Sequence, residues 1–247
     1  MDKEHQRSNK KKTKSDVTFR GVAVSKGVGV GTLILRKKEA ENRHTFAGAP
    51  EEIRRFDSAI ADVITSYHIL YEDTQAQLGE DAAAIFFAYQ RMAEDEVYRD
   101  SVYRWIREKE LCAEEAVLLA LDEFAKPLLQ SEDPYLRERA SDIREVTGSV
   151  QKYLTTEDDS FAFWDDAPGV LWAEELFPTE FMRLKNKKIA AIVTAKGSYT
   201  AHVSILAREK KVPMVVGMPS AFASEIRDGC IAVVDGNTGE VTLHFGG

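Results

Sequence analysis

The sequence predicts a mixed fold, in which an α/β domain is interrupted by an all-α helical-hairpin bundle. Three observations support this prediction. Short Val- and Gly-rich segments precede residue 47, apolar residues recur at helical spacing over 48–157, and strands alternate with helices over 158–247. Because a lone pair of strands is unstable, the first strands should join the later ones. The α/β domain is therefore expected to be discontinuous, formed by residues 17–47 and 158–247.

Charge and composition exclude several classes of protein. The 247 residues contain 33 Lys and Arg against 41 Asp and Glu, a net charge of −8, which disfavours nucleic-acid binding through a basic surface. The two cysteines, Cys112 and Cys230, have no disulfide or metal-ligand spacing, so no metal site is predicted and a reducing cytoplasm is the expected location. No apolar run reaches a membrane-spanning length, so no membrane contact is expected. Residues 1–16 are polar and basic and are predicted to form a disordered tail.

The first structured segment, residues 19–39, is rich in Val, Ile and Leu and contains several glycines. This composition indicates short strands joined by a turn. The run GVGVG at 27–31 can also be read as a nucleotide-binding loop. That alternative is disfavoured because the third glycine is at the wrong spacing and no helix follows.

Helical periodicity begins after Pro50, which is well placed to start a helix, and continues to Gly79. A second helix is predicted to about Met92 and a third through Trp105. The first of these helices has one apolar seam, made of Ile53, Phe56, Ile60, Val63, Tyr67 and Leu70.

Two further helices complete the predicted bundle of residues 48–157. The fourth is expected to end at Pro127, because proline disrupts a helix interior. The fifth begins after Asp133, a predicted N-cap, with Pro134 at the first helical position. Its apolar stripe consists of Leu136, Ala140, Ile143, Val150 and Leu154.

The last third of the chain returns to alternating strands and helices. An acidic stretch at 157–166 precedes a buried strand and a short helix opened by Pro178. A nearly all-apolar strand at 188–194 is of the kind buried on both faces of a sheet. The motif DGNTG at 235–239 predicts a turn between two final strands.

Among the histidines, His202 has the sequence context of a reactive site. It follows a loop that contains Gly197, Ser198 and Thr200, behind a buried strand, and it opens a helix. Such a junction presents free backbone N–H groups at the positive end of the helix dipole, which favours an anion. A neutral imidazole there can accept a phosphoryl group, with Thr200 and Ser204 donating hydrogen bonds to its oxygens. A histidine that merely caps the helix is the alternative.

These residues also carry a family resemblance. The segment 197–219 resembles the phosphohistidine signature of the phosphoenolpyruvate-utilising enzymes. Segment 21–35 resembles the opening strands of Enzyme I of the bacterial sugar phosphotransferase system, and 84–98 and 133–146 resemble its inserted helical domain. The signature positions that match are Gly197, Thr200, His202, Ile205, Ala207, Arg208, Pro213, Val216 and Gly217.

The resemblance implies a phosphoenolpyruvate-protein phosphotransferase. His202 would accept a phosphoryl group that originates from phosphoenolpyruvate and pass it to a histidine of the carrier protein HPr. The α/β domain would be the family's swivelling phosphohistidine domain, and Gly197, Ser198, Thr200 and Ser204 would support the phosphate. The helical bundle would bind HPr through Asp81, Arg91, Met92, Asp95, Leu136 and Arg139.

In this family the chain continues into a barrel domain that binds phosphoenolpyruvate and Mg²⁺ and forms a homodimer. The 247 residues contain no such domain, so the chain is expected to be either an excised N-terminal portion or a truncated relay, and the excised portion is favoured. It should be monomeric and hold no cofactor. Its partners would be HPr and its own C-terminal phosphoenolpyruvate-binding domain.

Three positions depart from the family pattern. The second glycine of the signature is Ser198, the serine before the histidine is Ala201, and a hydroxyl residue near the resting histidine is replaced by Phe181. Two alternatives therefore stay open. The chain could be a non-catalytic adaptor that retains the helical docking surface. It could also be the histidine domain of a dikinase or phosphoenolpyruvate synthase, which the inserted helices disfavour.

Overall fold

A computed structural model describes residues 16–35, 44–155, 164, 167–227 and 229–245. Apart from Asp16 and Trp164, the predicted basic tail and the acidic stretch at 157–166 lie outside these described residues. The boundaries proposed for the two domains stay predictions.

Eight strands form one mixed sheet. Because β3 precedes the long helices and pairs in parallel with β4, which follows them, one sheet takes strands from both sides of the helical region. The order across the sheet is β1-β8-β7-β3-β4-β5-β6-β2. The strands are β1 Val17–Arg20, β2 Val22–Ser25, β3 Val28–Leu35, β4 Gly169–Ala173, β5 Ile189–Thr194, β6 Met214–Val216, β7 Ile231–Asp235 and β8 Glu240–His244.

The two edges of this sheet meet at Gly21. Strands β1 and β2 lie at opposite ends of the strand order, yet this one residue separates them. The Gly21 N–H donates to the Gly239 carbonyl at 2.9 Å, beside β8. On the other side, a Cβ at Gly21 would lie 2.6 Å from the Val216 carbonyl of β6, so only glycine fits here. The sheet therefore curls until its edges touch.

Five long helices lie between β3 and β4, as predicted, and the fold is an α/β sheet with an inserted helical bundle. They are α1 Ala49–Leu78, α2 Glu80–Ala93, α3 Glu96–Lys109, α4 Ala113–Leu129 and α5 Pro134–Thr155. The predicted N-cap of α5 is confirmed, because Asp133 Oδ1 accepts from the Tyr135 N–H at 2.9 Å. The predicted stop at Pro127 is wrong by two residues. A proline in the last turn removes a single backbone donor, and Gln130 N–H still bonds the Lys126 carbonyl.

The predicted apolar seam of α1 forms the centre of the bundle. Phe56 and Val63 are fully buried and pack with Phe86 of α2 and Val117 of α4. Burying one such side chain stabilises the fold by about 1.5–3 kcal/mol. The same core continues onto one face of the sheet, where Leu171 is buried.

Three short helices cover the sheet: α6 Pro178–Arg183, α7 His202–Glu209 and α8 Ser220–Glu225. Apolar residues of α6 and α7 belong to the core shared with the bundle, whereas Phe222 of α8 lies in a second core against the other face of the sheet. Helix α7 also contacts α2 of the bundle. The N-terminus of α7 therefore lies where the sheet domain meets the bundle.

Candidate functional site

His202 is the first residue of α7 and follows the loop 195–201, which leaves the end of β5. Side chains within this segment fix the loop. Ser198 Oγ accepts from the Ala201 N–H at 3.0 Å, and Ser204 Oγ donates to the Ser198 carbonyl at 2.7 Å. Gly197 has φ of +127°, a conformation that favours glycine. The histidine is thus held on a defined turn at a helix start.

The imidazole of His202 faces a carboxylate of the helical bundle. Its Nδ1 lies 3.4 Å from Asp142 Oδ1 on α5, and its side chain is about one third exposed. Asp142 is buried and held in place, since it accepts from the Tyr89 hydroxyl at 3.1 Å and from Arg139 Nη1 at 3.2 Å. Within the described part of the chain, His202 Nε2 has no hydrogen-bond partner. One ring nitrogen therefore lies beside a buried carboxylate, and the other has no polar partner among the described residues.

A narrow cleft of about 50 Å³ surrounds His202 between the bundle and the sheet domain. Three carboxylates line it, those of Glu138, Asp142 and Glu175. Thr200 Oγ1 lies 3.5 Å from Glu138 Oε2, so the loop before the histidine also contacts α5. Lys196 lines the cleft from the same loop. The cleft therefore carries acidic groups among apolar ones and is built from both parts of the molecule.

A second buried carboxylate lies one turn further along α5. Burial, with a smaller contribution from the nearby Glu180 carboxylate, raises the pKa of Glu145 to about 7, although Thr179 and Lys152 partly offset the shift. Lys152 Nζ pairs with Glu180 of α6 at 3.2 Å. These groups lie on both sides of the boundary between α5 and α6. The boundary between α5 and α6 therefore contains several buried charged groups.

Comparison with known proteins places this arrangement in a family. The model of the PEP-utilising enzyme N-terminal domain matches residues 20–139, and that of the PEP-utilising enzyme mobile domain matches residues 166–239, which includes His202.

The chain belongs to the PEP-utilising enzymes.

Similar curated proteins are named phosphoenolpyruvate-protein phosphotransferase. The chain is 30% identical to that of Geobacillus stearothermophilus over 233 residues, which cover 92% of the chain and 39% of the relative. It is 26% identical to that of Mycoplasma capricolum over 227 residues, 91% of the chain and 39% of the relative. The chain thus spans about two fifths of the length of these relatives.

Solved structures show the same fold. An NMR solution structure of Enzyme I (nEIt) superposes with a TM-score of 0.65 at 27% identity, covering 91% of this chain and 92% of that one. The N-terminal domain of Enzyme 1 - Nitrogen superposes with a TM-score of 0.60 at 22% identity, covering 92% and 93% of the two chains. The match to the N-terminal portion of Enzyme I agrees with the resemblance in the sequence.

The residues predicted to support a phosphate in this PEP-utilising enzyme have different surroundings. The hydroxyls of Ser198 and Thr200 lie 3.1 Å apart on the exposed loop, next to His202 in the chain. Ser204 is fully buried, and its hydroxyl already donates to the Ser198 carbonyl. Ser204 therefore supports the loop here, and its predicted contact with phosphate, like those of the other residues, stays a prediction.

The six residues predicted to bind the partner lie on α2, the α2–α3 junction and α5. Asp95 is the N-cap of α3, because its Oδ1 accepts from Val97 N–H at 2.8 Å and Tyr98 N–H at 3.1 Å. Met92 and Asp95 line an apolar hollow of about 280 Å³. Arg139 bonds Asp142, which connects this face to the histidine cleft. The remaining three are Asp81 and Arg91, both exposed on α2, and half-buried Leu136 of α5.

Sequence reasoning missed Asp142 and Glu145. Phe181, which stands where the family has a hydroxyl, is fully buried in the core, and Asp142 is the polar group that faces the histidine. The signal was available in the spacing of α5. Glu138, Asp142, Glu145, Ser149 and Lys152 recur at steps of 4, 3, 4 and 3, which places them on one helical face. A polar stripe beside an apolar stripe indicates a second buried face.

Among the described residues, no group of three or more His, Cys, Asp and Glu side chains is arranged to hold a metal ion. No helix in the same part of the chain is long and apolar enough to cross a membrane.

Proposed function

We propose that the chain is a phosphoryl-transfer relay. His202 accepts a phosphoryl group that originates from phosphoenolpyruvate and passes it to a histidine of the carrier protein HPr. The observation that carries this proposal is the placement of His202 Nδ1 beside buried Asp142, with Nε2 left unpartnered among the described residues. Membership of the PEP-utilising enzymes supports the class of chemistry.

In this proposal each ring nitrogen has its own role. The Asp142 carboxylate favours the tautomer with the proton on Nδ1, so the lone pair is on Nε2. Nε2 attacks the phosphorus atom, the new N–P bond forms, and the bond to the donor atom breaks with its electron pair leaving on the donor. The ring then carries a positive charge, which Asp142 stabilises. Transfer to the carrier reverses these steps, with a carrier nitrogen as the nucleophile.

The start of α7 suits the charge that arrives. The first-turn N–H groups of a helix are unpaired and lie at its positive end, which stabilises a nearby anion. The Ser198 and Thr200 hydroxyls lie in the loop that precedes the histidine and are within bonding distance of each other. Of the signature side chains, these two hydroxyls are best placed to donate hydrogen bonds to a phosphoryl group on His202.

The helical bundle supplies the docking surface in this proposal. Asp81 and Asp95 are exposed, and Met92 adjoins the apolar hollow, so the face offers negative charge around an apolar centre. A basic carrier such as the family's HPr would be attracted to it. The phosphoenolpyruvate-binding barrel, its Mg²⁺ and the homodimer are assigned to the part of the longer relatives that this chain does not span. The relay is expected to work in the cytoplasm.

The test is to incubate the chain with phosphorylated HPr and to map acid-labile phosphate by mass spectrometry, with His202→Ala as the matched variant. We expect one phosphoryl group on His202 and none on the folded variant. HPr binding without label would instead favour the adaptor. Absence of both binding and label would contradict the relay and favour another branch of the family.

A further inference from the structure

Phosphorylation of His202 places additional negative charge close to the carboxylates of the cleft. A phosphoryl group adds about −1.5 to −2 charges at neutral pH. The cleft already contains three carboxylates. Asp142 and Glu175 each have an arginine partner, Arg139 at 3.2 Å and Arg144 at 2.9 Å. These guanidinium groups are therefore already engaged when the phosphoryl group arrives.

Lys196 is the single lysine or arginine among the described residues that line this cleft. Its backbone is anchored, since its N–H donates to the Glu174 carbonyl at 2.8 Å and its carbonyl accepts from Thr194 Oγ1 at 2.6 Å. The anchored backbone keeps the side chain at the edge of the cleft, in the same loop that leads to His202.

Among the described residues, the partner of the Lys196 ammonium group is one exposed carboxylate. The ammonium group lies 2.7 Å from Glu174 Oε1, with the two side chains 52% and 75% exposed. Exposed pairs of this kind are weak, because water and salt screen them. The ammonium group can therefore exchange this carboxylate for a stronger anion at little cost, and a phosphoryl dianion in the neighbouring cleft is such an anion.

We propose that Lys196 binds the phosphoryl group on His202, leaving Glu174 when the histidine is phosphorylated. This inference rests on the proposed function and adds the cation that balances the acidic cleft. The lysine makes no bond to the reacting nitrogen. Its Nζ donates a hydrogen bond to a phosphoryl oxygen and stabilises the phosphorylated form relative to the free one.

The experiment measures the equilibrium between the chain and phosphorylated HPr. The phosphorylated fraction of Lys196→Met is compared with that of the wild type, Lys196→Arg and Glu174→Gln. Lys26→Met is the charge control, because Lys26 is exposed on the sheet domain and is not among the residues that line the cleft. Thermal unfolding confirms that each variant is folded.

We expect Lys196→Met to lower the equilibrium constant about fivefold, and Lys196→Arg to restore most of it. Lys26→Met and Glu174→Gln should match the wild type or exceed it. An unchanged Lys196→Met would overturn the inference. Equal losses in Lys196→Met and Glu174→Gln would also overturn it, because the ion pair itself would then matter. A wild type without label would instead overturn the proposed function, and this inference with it.

A second readout separates direct contact from a structural role. The phosphoryl group titrates near neutral pH, and a neighbouring ammonium group favours its dianion and lowers its pKa. Phosphorus NMR of the phosphorylated chain should therefore give a higher phosphoryl pKa in Lys196→Met than in the wild type or Glu174→Gln. Equal phosphoryl pKa values in all three proteins would contradict a direct contact.

Discussion

Two clusters of buried charge differ in how their carboxylates are satisfied. Inside the bundle, Glu52 accepts from the N–H groups of Ala47 and Ala113, each at 3.0 Å, and from Arg55 at 2.7 Å. Burial alone would raise the pKa of Glu52, but these donors more than offset it and lower the pKa. Arg55 also bonds Glu114. The Glu52 carboxylate in this cluster is thus fully supplied with hydrogen-bond donors.

At the boundary between α5 and α6, Glu145 is in the opposite situation. Its hydroxyl contacts within the bundle are long, 3.5 Å to Tyr67 and 3.2 Å to Ser149. Burial raises its pKa to about 7. At neutral pH the folded protein must either protonate Glu145 or bury its charge.

The difference indicates which boundary between helices separates at lower cost. A cluster whose donors are complete fixes the bundle, and opening it would leave buried charges unpaired. A carboxylate with a raised pKa gains by reaching water, so ionisation of Glu145 opposes the packing of α5 against α6, whereas the buried Lys152–Glu180 pair across the same boundary holds the two helices together. The histidine cleft lies on this second boundary. A relay of the proposed kind must expose one histidine to two partners in turn. The boundary between α5 and α6 lies beside that histidine.

The largest expected effect is on the bundle cluster. Arg55→Met leaves Glu52 and Glu114 without their shared cation, and breaking a buried pair in this way costs about 3–5 kcal/mol. The neighbouring Arg54→Met is the control, because Arg54 is exposed and its ion-pair partner among the described residues is the solvent-accessible Glu51. Urea unfolding should show a large loss for the first variant and under about 1 kcal/mol for the second. Equal losses would contradict the contrast.

The second prediction concerns the histidine itself. Asp142→Asn removes the charge beside His202 Nδ1, so the phosphorylation rate should fall about 10–100-fold, as when a group that orients a histidine is replaced. Quenched-flow labelling from phosphorylated HPr measures the rate. Asp62→Asn, at an exposed position of α1, is the control. A wild-type rate in Asp142→Asn would show that the carboxylate does not position the imidazole.

The third prediction is a pH dependence. The folded-state pKa of Glu145 is about 7 against an ordinary value of 4.5 for a glutamate, so the folded protein holds this proton more tightly than the unfolded chain. Stability from this group is present below the unfolded pKa and is lost as pH rises through 7. Between pH 5.5 and 8 the loss should be on the order of 1–2 kcal/mol.

Glu145→Gln should remove this contribution, and Glu80→Gln, at an exposed position of α2, should leave it intact. Urea unfolding at several pH values measures it. If Glu145→Gln retained the full wild-type dependence of unfolding free energy on pH, the titrating group would be a different one. The contrast between Glu52 and Glu145 would then be contradicted.

The smallest expected effect is on the exposed docking face. Asp81→Lys should slow association with a basic HPr about threefold at low salt and weaken the salt dependence, without changing stability. Asp62→Lys is the matched reversal on another face. Asp95 is a poorer test, because it caps α3 and its loss costs stability as well. Stopped-flow rates that are the same for Asp81→Lys and Asp62→Lys would move the interface elsewhere.

Much of the fold follows from local patterns in the sequence. The seam through Phe56 and Val63, the break at Gly79 and the cap at Asp133 are short-range signals, and all three appear in the structure. His202 was also identified locally, from a strand, a loop and a helix start. The closure of the sheet at Gly21 was not predicted, because it depends on which distant strands become neighbours.

The missing part of the site has the same physical cause. Asp142 lies 60 positions before His202 in the chain, and its role depends on how α5 packs against α7. The raised pKa of Glu145 depends on burial between two elements, which no spacing within α5 determines. Lys196 lies in a loop, where no helical or strand spacing predicts which residues will be its neighbours. Chemistry that is shared between elements needs the tertiary structure.

The most direct test of the proposed relay is to identify the phosphorylated nitrogen. Histidine labelled with nitrogen-15 distinguishes the two ring nitrogens by NMR, before and after phosphorylation by phosphorylated HPr. We expect the free imidazole of His202 to carry its proton on Nδ1 and the phosphoryl group to appear on Nε2, with Nδ1 still protonated. Phosphorylation on Nδ1, or none at His202, would contradict the role of Asp142 and the relay built on it.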